Sequence, residues 1–207
     1  MGREAASTEI TLLLDANCII YYCQRFNENF GGTPINLHHP LGDLVSQIIE
    51  PLISARKRIG SISAVLSEIP NKGAEELVDD FILSPPIQRI LTRTGVTSVP
   101  PRIRERWQGR FLQKVKKLRH NEWFREINFT PSNEELQMAK DFYRSLAGDP
   151  KMAHHIAKKG KDCPSNVDLA LAICAKELRV PILSNDGDFT KFVGEWARFG
   201  VDIKPLI

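Results

Sequence analysis

The stretch Asn166 to Ser184, "NVDLALAICAKELRVPILS", constrains the fold more than any other part of the chain. Its first portion, "NVDLALAICAKEL", is apolar nearly all round, which marks a helix buried on every side. The run "VPILS" follows almost at once and reads as a short strand. The same alternation recurs elsewhere. "EITLLLD" is an apolar run ending at Asp15, followed by the helix "NCIIYYCQRF" with Asn17 as its expected N-cap. "RIGSIS" is a second strand, and "AVLSEI" after it is a helix that Pro70 interrupts. "WFREINFTP" supplies a third strand and "VDIKPLI" a last one, with "FTKFVGEWARF" helical before it. Strands alternating with helices predict an α/β fold with a mostly parallel sheet. Ligands in such sheets bind at the carboxyl ends of the strands.

Between these pairs lie further helices: "LVSQIIEPLISARK", bent or divided at Pro51, then "AEELVDDFIL", and "SNEELQMAKDFYRSL" opened by Ser132. "NENFGGTPINLHHPLGD", rich in Gly, Pro and Asn, reads as a loop. A length of 207 residues suits one domain with a sizeable core and no need of disulfides. Cys18, Cys23, Cys163 and Cys174 show no metal-binding spacing and read as reduced thiols, which predicts a cytoplasmic protein. No apolar run approaches a membrane span, and "MGREAASTEI" has neither a secretory core nor the Ser or Thr that myristoylation needs. The sequon at Asn128 therefore carries no weight.

Charge is unevenly placed. Arg102 to Arg119 holds eight Lys/Arg against one Glu, so a net +3 chain keeps −4 outside this stretch. Ile103, Trp107, Phe111, Val115 and Leu118 form an apolar helical stripe in it. Arg102, Arg106, Arg110, Lys114 and Lys117 run beside that stripe. One face can dock on the body while another presents cations to a polyanion, with RNA the expected partner and an acidic protein the alternative.

Four acids fall where such a sheet binds ligands. Asp15 and Asp186 each follow a strand, Glu68 lies on the helix after the second strand, and Asp168 lies in the first turn of the buried helix, in a capping box with Ser165. Carboxylates that converge repel one another and take up protons unless a cation joins them. The donors are all oxygen, which suits Mg²⁺ or Mn²⁺ better than Zn²⁺. Of the two acids in "SNDGDF", Asp186 is expected at the metal. Gly187 would turn the chain at positive φ, and Asp188 would mainly cap the final helix.

On "LLLDAN", "AVLSE" and "NVDLALAICAKELRVPILSNDGDF", the chain resembles the PIN-domain metal-dependent ribonucleases, over its first thirty and last fifty residues. The resemblance implies a three-layer α/β/α sandwich with Mg²⁺ or Mn²⁺ held by Asp15, Glu68, Asp168 and Asp186, Asp188 being auxiliary. Asn17 and Ser184 match positions that order the first and last acids. It further implies hydrolysis of RNA by metal-activated water, leaving a 5′-phosphate and a 3′-hydroxyl. Many members are toxins paired with an antitoxin protein. The whole chain then reads as one PIN-like domain with a basic helical insertion at about 85–122. Ala16 stands where Ser or Thr is common, and Pro70 breaks a helix that usually continues, so Glu75 or Glu76 could instead be the second acid.

Other enzyme classes fit less well. A haloacid-dehalogenase-type phosphatase needs a second Asp where Asn17 stands, and a dinucleotide site needs a GxGxxG that is absent. A non-catalytic RNA-binding or scaffold protein on the same fold is the alternative function. His38-His39 and His154-His155 are adjacent pairs whose rings cannot converge on a helix, and neither reads as a metal site. The oligomeric state stays open, a homodimer included.

Overall fold

Leu12, Leu13 and Leu14 are each 1% exposed or less. Successive strand residues point to opposite faces, so three consecutive buried residues in a strand mean cover on both sides. This strand, β1 (Ile10–Leu14), is the middle of a five-stranded sheet. In the computed structural model, which describes residues 10–30, 32–71, 73–150, 153–154 and 164–207, the sheet also contains β4 (Arg58–Ile62), β5 (Phe124–Ile127), β6 (Ile182–Ser184) and β7 (Ile203–Pro205). Their order is β5-β4-β1-β6-β7 and every pairing is parallel. The protein is thus α/β with helices on both faces of a parallel sheet, as the alternation of strands and helices requires.

The order has one functional consequence. The chain leaves β1, builds β4 and β5 to one side, then returns to place β6 and β7 on the other. The switch point lies between β1 and β6, where open parallel sheets leave a crevice beyond the carboxyl ends. Leu14 pairs with Leu183, so Asp15 leaves the sheet beside Ser184, two residues before Asp186.

Arg25 and Phe26, expected to end the first helix, and the segment after them, expected to be a loop, instead form an antiparallel hairpin, β2 (Arg25–Phe30) and β3 (Thr33–His38). The alternation that buries Phe26, Ile35 and Leu37 was hidden by a polar composition. The ribbon is held from outside the main sheet by aromatic packing. Phe26 stacks on Trp107 at 5.0 Å and meets Phe81 edge-on at 5.2 Å.

The helices follow the expected positions with three adjustments. After α1 (Ala16–Cys23), α2 (Pro40–Ser54) runs through Pro51 as one helix, because only the last turn loses an N–H. Gly42 lets α2 cross α1 closely: a Cβ there would lie 2.4 Å from the Tyr21 carbonyl. Pro70 sits in the final turn of α3 (Ser63–Asn71). The helices α4 (Ala74–Leu83), α5 (Pro85–Arg93) and α6 (Pro101–Arg119) precede β5. α7 (Asn133–Ser145) begins at the Ser132 capping box, and α8 (Asn166–Leu178) at that of Ser165. The helix expected before β7 is two short ones, α9 (Gly187–Thr190) and α10 (Val193–Phe199). Among the described residues no helix is long and apolar enough to cross a membrane.

Candidate active site

Asp15 is the first residue past β1 and caps α1, a role expected of Asn17. Its Oδ1 accepts from the Ala16 N–H at 2.6 Å and its Oδ2 accepts from the Ser184 hydroxyl at 2.8 Å. The strand ends at Leu14, so the helix starts two residues earlier than a cap at Asn17 would allow. Asp15 is buried, and burial, with Asp168 and Asp186 adding repulsion, pushes its pKa up to about 7. The bonds from Ser184 and Ala16 pull the other way.

Ser184 ties the first acid to the last. While donating to Asp15 it accepts the Asp186 backbone N–H at 2.9 Å. Asp186 in turn caps α9, its Oδ1 accepting the Asp188 N–H at 2.7 Å. The cap expected of Asp188 is therefore corrected. α9 begins at Gly187, which puts Asp186 at the cap, and Gly187 is absent from the glycines with positive φ. Asp188 is buried, with Oδ1 accepting the Tyr143 hydroxyl at 3.0 Å and its carbonyl accepting the Trp196 indole N–H at 2.8 Å. Tyr143 on α7 was not singled out from the sequence; the signal was its place with Ala139 on the buried stripe of that helix.

Asp168 completes its capping box, with Oδ2 accepting the Ser165 N–H at 3.1 Å. Burial raises its pKa, and Asp186 and Asp188 push the same way. Asp15, Asp168 and Asp186 thus feel one another at the switch point. Glu68 is half-buried on α3, which packs on both α1 and α8. Glu75 and Glu76 are exposed in the first turn of α4. Among the described residues, no three His, Cys, Asp or Glu side chains stand close enough to hold a metal ion as they are placed.

Tyr21 is a site residue that sequence reading missed. Burial chiefly raises its pKa, with Asn185 acting in the opposite sense and Asp15 and Asp186 among the nearby charges. Its ring stacks on His39 at 4.6 Å. Asn17, Tyr21, His39, Glu76 and Asp80 line a cleft of about 360 Å³. His39 caps α2 through Nδ1, and His38 pairs with Asp43 at 2.7 Å, so the first histidine pair has structural partners. His154 is exposed, and His155 lies outside the described residues. Cys18, Cys23 and Cys174 are buried free thiols; Cys163 lies outside the described residues.

The basic helix α6 docks as its periodicity requires, with Trp107, Phe111, Val115 and Leu118 buried. Its cations are less free than the sequence suggests. Glu28 of the hairpin receives Arg106 at 2.5 Å, Arg110 at 3.7 Å and the Trp107 indole N–H at 3.1 Å. Burial opposes ionisation of Glu28, but the bonds from Trp107 and Arg106 outweigh it and hold its pKa below the ordinary range. Lys114 donates to the Arg25 carbonyl. Arg102 and Lys117 are exposed.

No family model matches the chain, and no curated protein matches it. A similar solved structure is that of VapBC2 from Rickettsia felis bound to a DNA fragment from its promoter. It is 14% identical, with a TM-score of 0.45 over 95% of this chain and 98% of that one. The functional reading therefore rests on this chain's own residues.

Proposed function

We propose that the protein is a metal-dependent endoribonuclease acting at the β1–β6 switch point. The observation that carries this reading is Asp15, a buried carboxylate whose pKa is raised to about 7 by burial and by Asp168 and Asp186. Carboxylates kept together at such a cost are those a cation would relieve. The donor set fits a hard ion: Asp15, Glu68, Asp168 and Asp186 would hold Mg²⁺ or Mn²⁺, with Asp188 auxiliary, and all offer oxygen. Glu76, on the cleft that Asn17 lines, is the alternative second acid. When bound, such an ion lowers the pKa of a water and neutralises charge on the leaving oxygen.

The protein's own part is to aim the carboxylates. Ser184 fixes the Asp15 oxygen that does not cap α1, and holds the Asp186 backbone at the same time. Asn17, on the first turn of α1, orders the first acid in this reading. The cations of α6, Arg102, Arg106, Arg110, Lys114 and Lys117, contribute affinity for the phosphate backbone within the segment 85–122 that we read as an insertion. The sequence resemblance extends the reading to a toxin held by an antitoxin.

Purified protein should cut single-stranded RNA with Mg²⁺ or Mn²⁺ and stop with EDTA. Asp168→Asn retains an oxygen for the Ser165 N–H, so it should keep the fold and lose cutting. Undiminished cutting by that variant removes the metal-site reading. The second reading, an RNA-binding protein without turnover, draws on the absence of three acids at coordination spacing among the described residues. RNA binding without cleavage in either metal would establish it.

A further inference from the structure

At the far end of α1 from Asp15, a second group of like charges gathers around a cleft. Arg25 begins the hairpin just after α1, and eight helical residues at about 1.5 Å each separate it from the carboxylates by about 12 Å. Arg25, Asn27, Asn36, His38, Arg110 and Lys114 line a cleft of about 620 Å³, with Asp43 at its edge.

Three features make this cleft receptive to an anion. The first is charge. Arg25, Arg110 and Lys114 face one lining carboxylate, Asp43, which already pairs with Arg25 at 3.5 Å and with His38 at 2.7 Å, while Glu28 stands 3.7 Å from Arg110 outside the lining. The second is rigidity. The Arg25 guanidinium donates to Ser46 and to the Gly42 carbonyl and lies 5.7 Å from the centre of the Tyr22 ring. Arg110 donates to the Asn27 carbonyl at 3.1 Å. The third is an unmet donor: the Arg25 Nε–H is buried and has no acceptor among the described residues. Burial lowers the pKa of Lys114, and Arg25 and Arg110 repel it further, although the nearby Cys23 acts in the opposite sense.

We propose that this cleft binds a phosphate group, and that the natural occupant is a backbone phosphate of the RNA strand a few nucleotides from the bond that is cut. The guanidinium forks and the ammonium match tetrahedral oxygens, and the two Asn amides add neutral donors. The assignment to RNA rests on the nuclease reading; the phosphate chemistry does not. The position at the far end of α1 makes it an anchoring site rather than part of the reaction centre.

The test measures binding in EDTA, where no cutting is needed, so its failure is distinct from failure of the nuclease reading. A labelled single-stranded RNA, inorganic phosphate and poly-glutamate are the three probes. The variants are Arg110→Gln with Lys114→Gln, and separately Asn36→Asp, an exposed position where a carboxylate disturbs no packing. RNA affinity should fall about tenfold in the double variant and severalfold in Asn36→Asp, and the log–log salt slope should drop by roughly 0.7 per lost contact. With metal restored, KM should rise more for long RNA than for oligonucleotides too short to reach the cleft, while kcat changes less than KM. Unchanged RNA affinity and slope in both variants overturn the proposal. Loss of phosphate binding with RNA binding intact overturns the RNA assignment. Poly-glutamate competing better than phosphate overturns the phosphate chemistry in favour of an acidic protein.

Discussion

The two ends of α1 hold opposite charge. At its N-terminus Asp15 meets Asp168 and Asp186, and at its C-terminal side Arg25 meets Lys114 and Arg110. Both arrangements agree in sign with the helix dipole, which favours anions at the N-terminus and cations at the C-terminus. They differ in how they are held. The acids sit at strand ends and helix caps, fixed by bonds reaching one to three residues along the chain and by Ser184 across the switch point. The cations belong to the hairpin and to α6, far apart in sequence, and are brought together by aromatic packing around Trp107. A carboxylate site can thus be specified by local caps, whereas the cationic cleft exists only once the hairpin is seated.

The largest expected effect breaks the acidic end alone. Asp15→Asn removes one repelling charge and should lower RNA cleavage by about 10³-fold, in line with loss of a main electrostatic contributor. Without metal its thermal stability should equal or exceed that of the parent, and Mn²⁺ should no longer raise it. Retained Mn²⁺ stabilisation would show that the cation sits elsewhere.

Next is the packing that seats the basic end. Trp107 is fully buried against Phe26, Phe30 and Phe81. Trp107→Ala should cost about 3–5 kcal/mol in urea unfolding. In protein that still folds, it should weaken RNA binding in EDTA while Mn²⁺ stabilisation persists. Equal loss of both would mean that the two ends are one cooperative unit.

A smaller effect separates the two acids of the terminal turn. Asp188→Ala leaves the buried Tyr143 hydroxyl without that acceptor and should cost about 1–3 kcal/mol. Asp186→Asn keeps an oxygen for the Asp188 N–H and should cost little, yet it should lose most Mn²⁺ stabilisation. The reverse pattern, read by thermal unfolding with and without Mn²⁺, would exchange the roles.

The smallest effect concerns His39, stacked on Tyr21 on the wall between the two ends. Burial lowers its pKa from 6.5. The unfolded chain then takes up the proton first, so stability falls as pH drops below about 6.5 toward the lowered folded value, and is constant beneath it. The ring is half-exposed, so the loss should stay under about 1 kcal/mol. Comparing urea midpoints at pH 7.5 and 5.5 with those of His39→Asn, which can still cap α2, checks it; an equal drop in both would assign the dependence to other groups.

What the sequence determined by itself was local. The all-round apolar helix at Asn166–Leu178 and the short apolar runs place the parallel sheet, because burial on both faces leaves a continuous apolar signal. The same locality exposes Asp15, Asp168 and Asp186, since strand ends and helix caps lie within a few residues of them. Tertiary structure decided the rest. The hairpin was hidden because its buried Phe26, Ile35 and Leu37 are diluted by Asn, Gly and Pro, and the rings that Phe26 packs on, Phe81 and Trp107, lie 55 and 81 positions away. The cap passed from Asp188 to Asp186, and Asp188 instead accepts from the Tyr143 hydroxyl of α7, a bond between residues 45 positions apart. Tyr21 came to lie near Asp15 and Asp186, and the α6 cations turned toward Glu28 and the Arg25 carbonyl. Each of these depends on which side chain arrives from a distant segment, and period and composition within a short window carry no record of that.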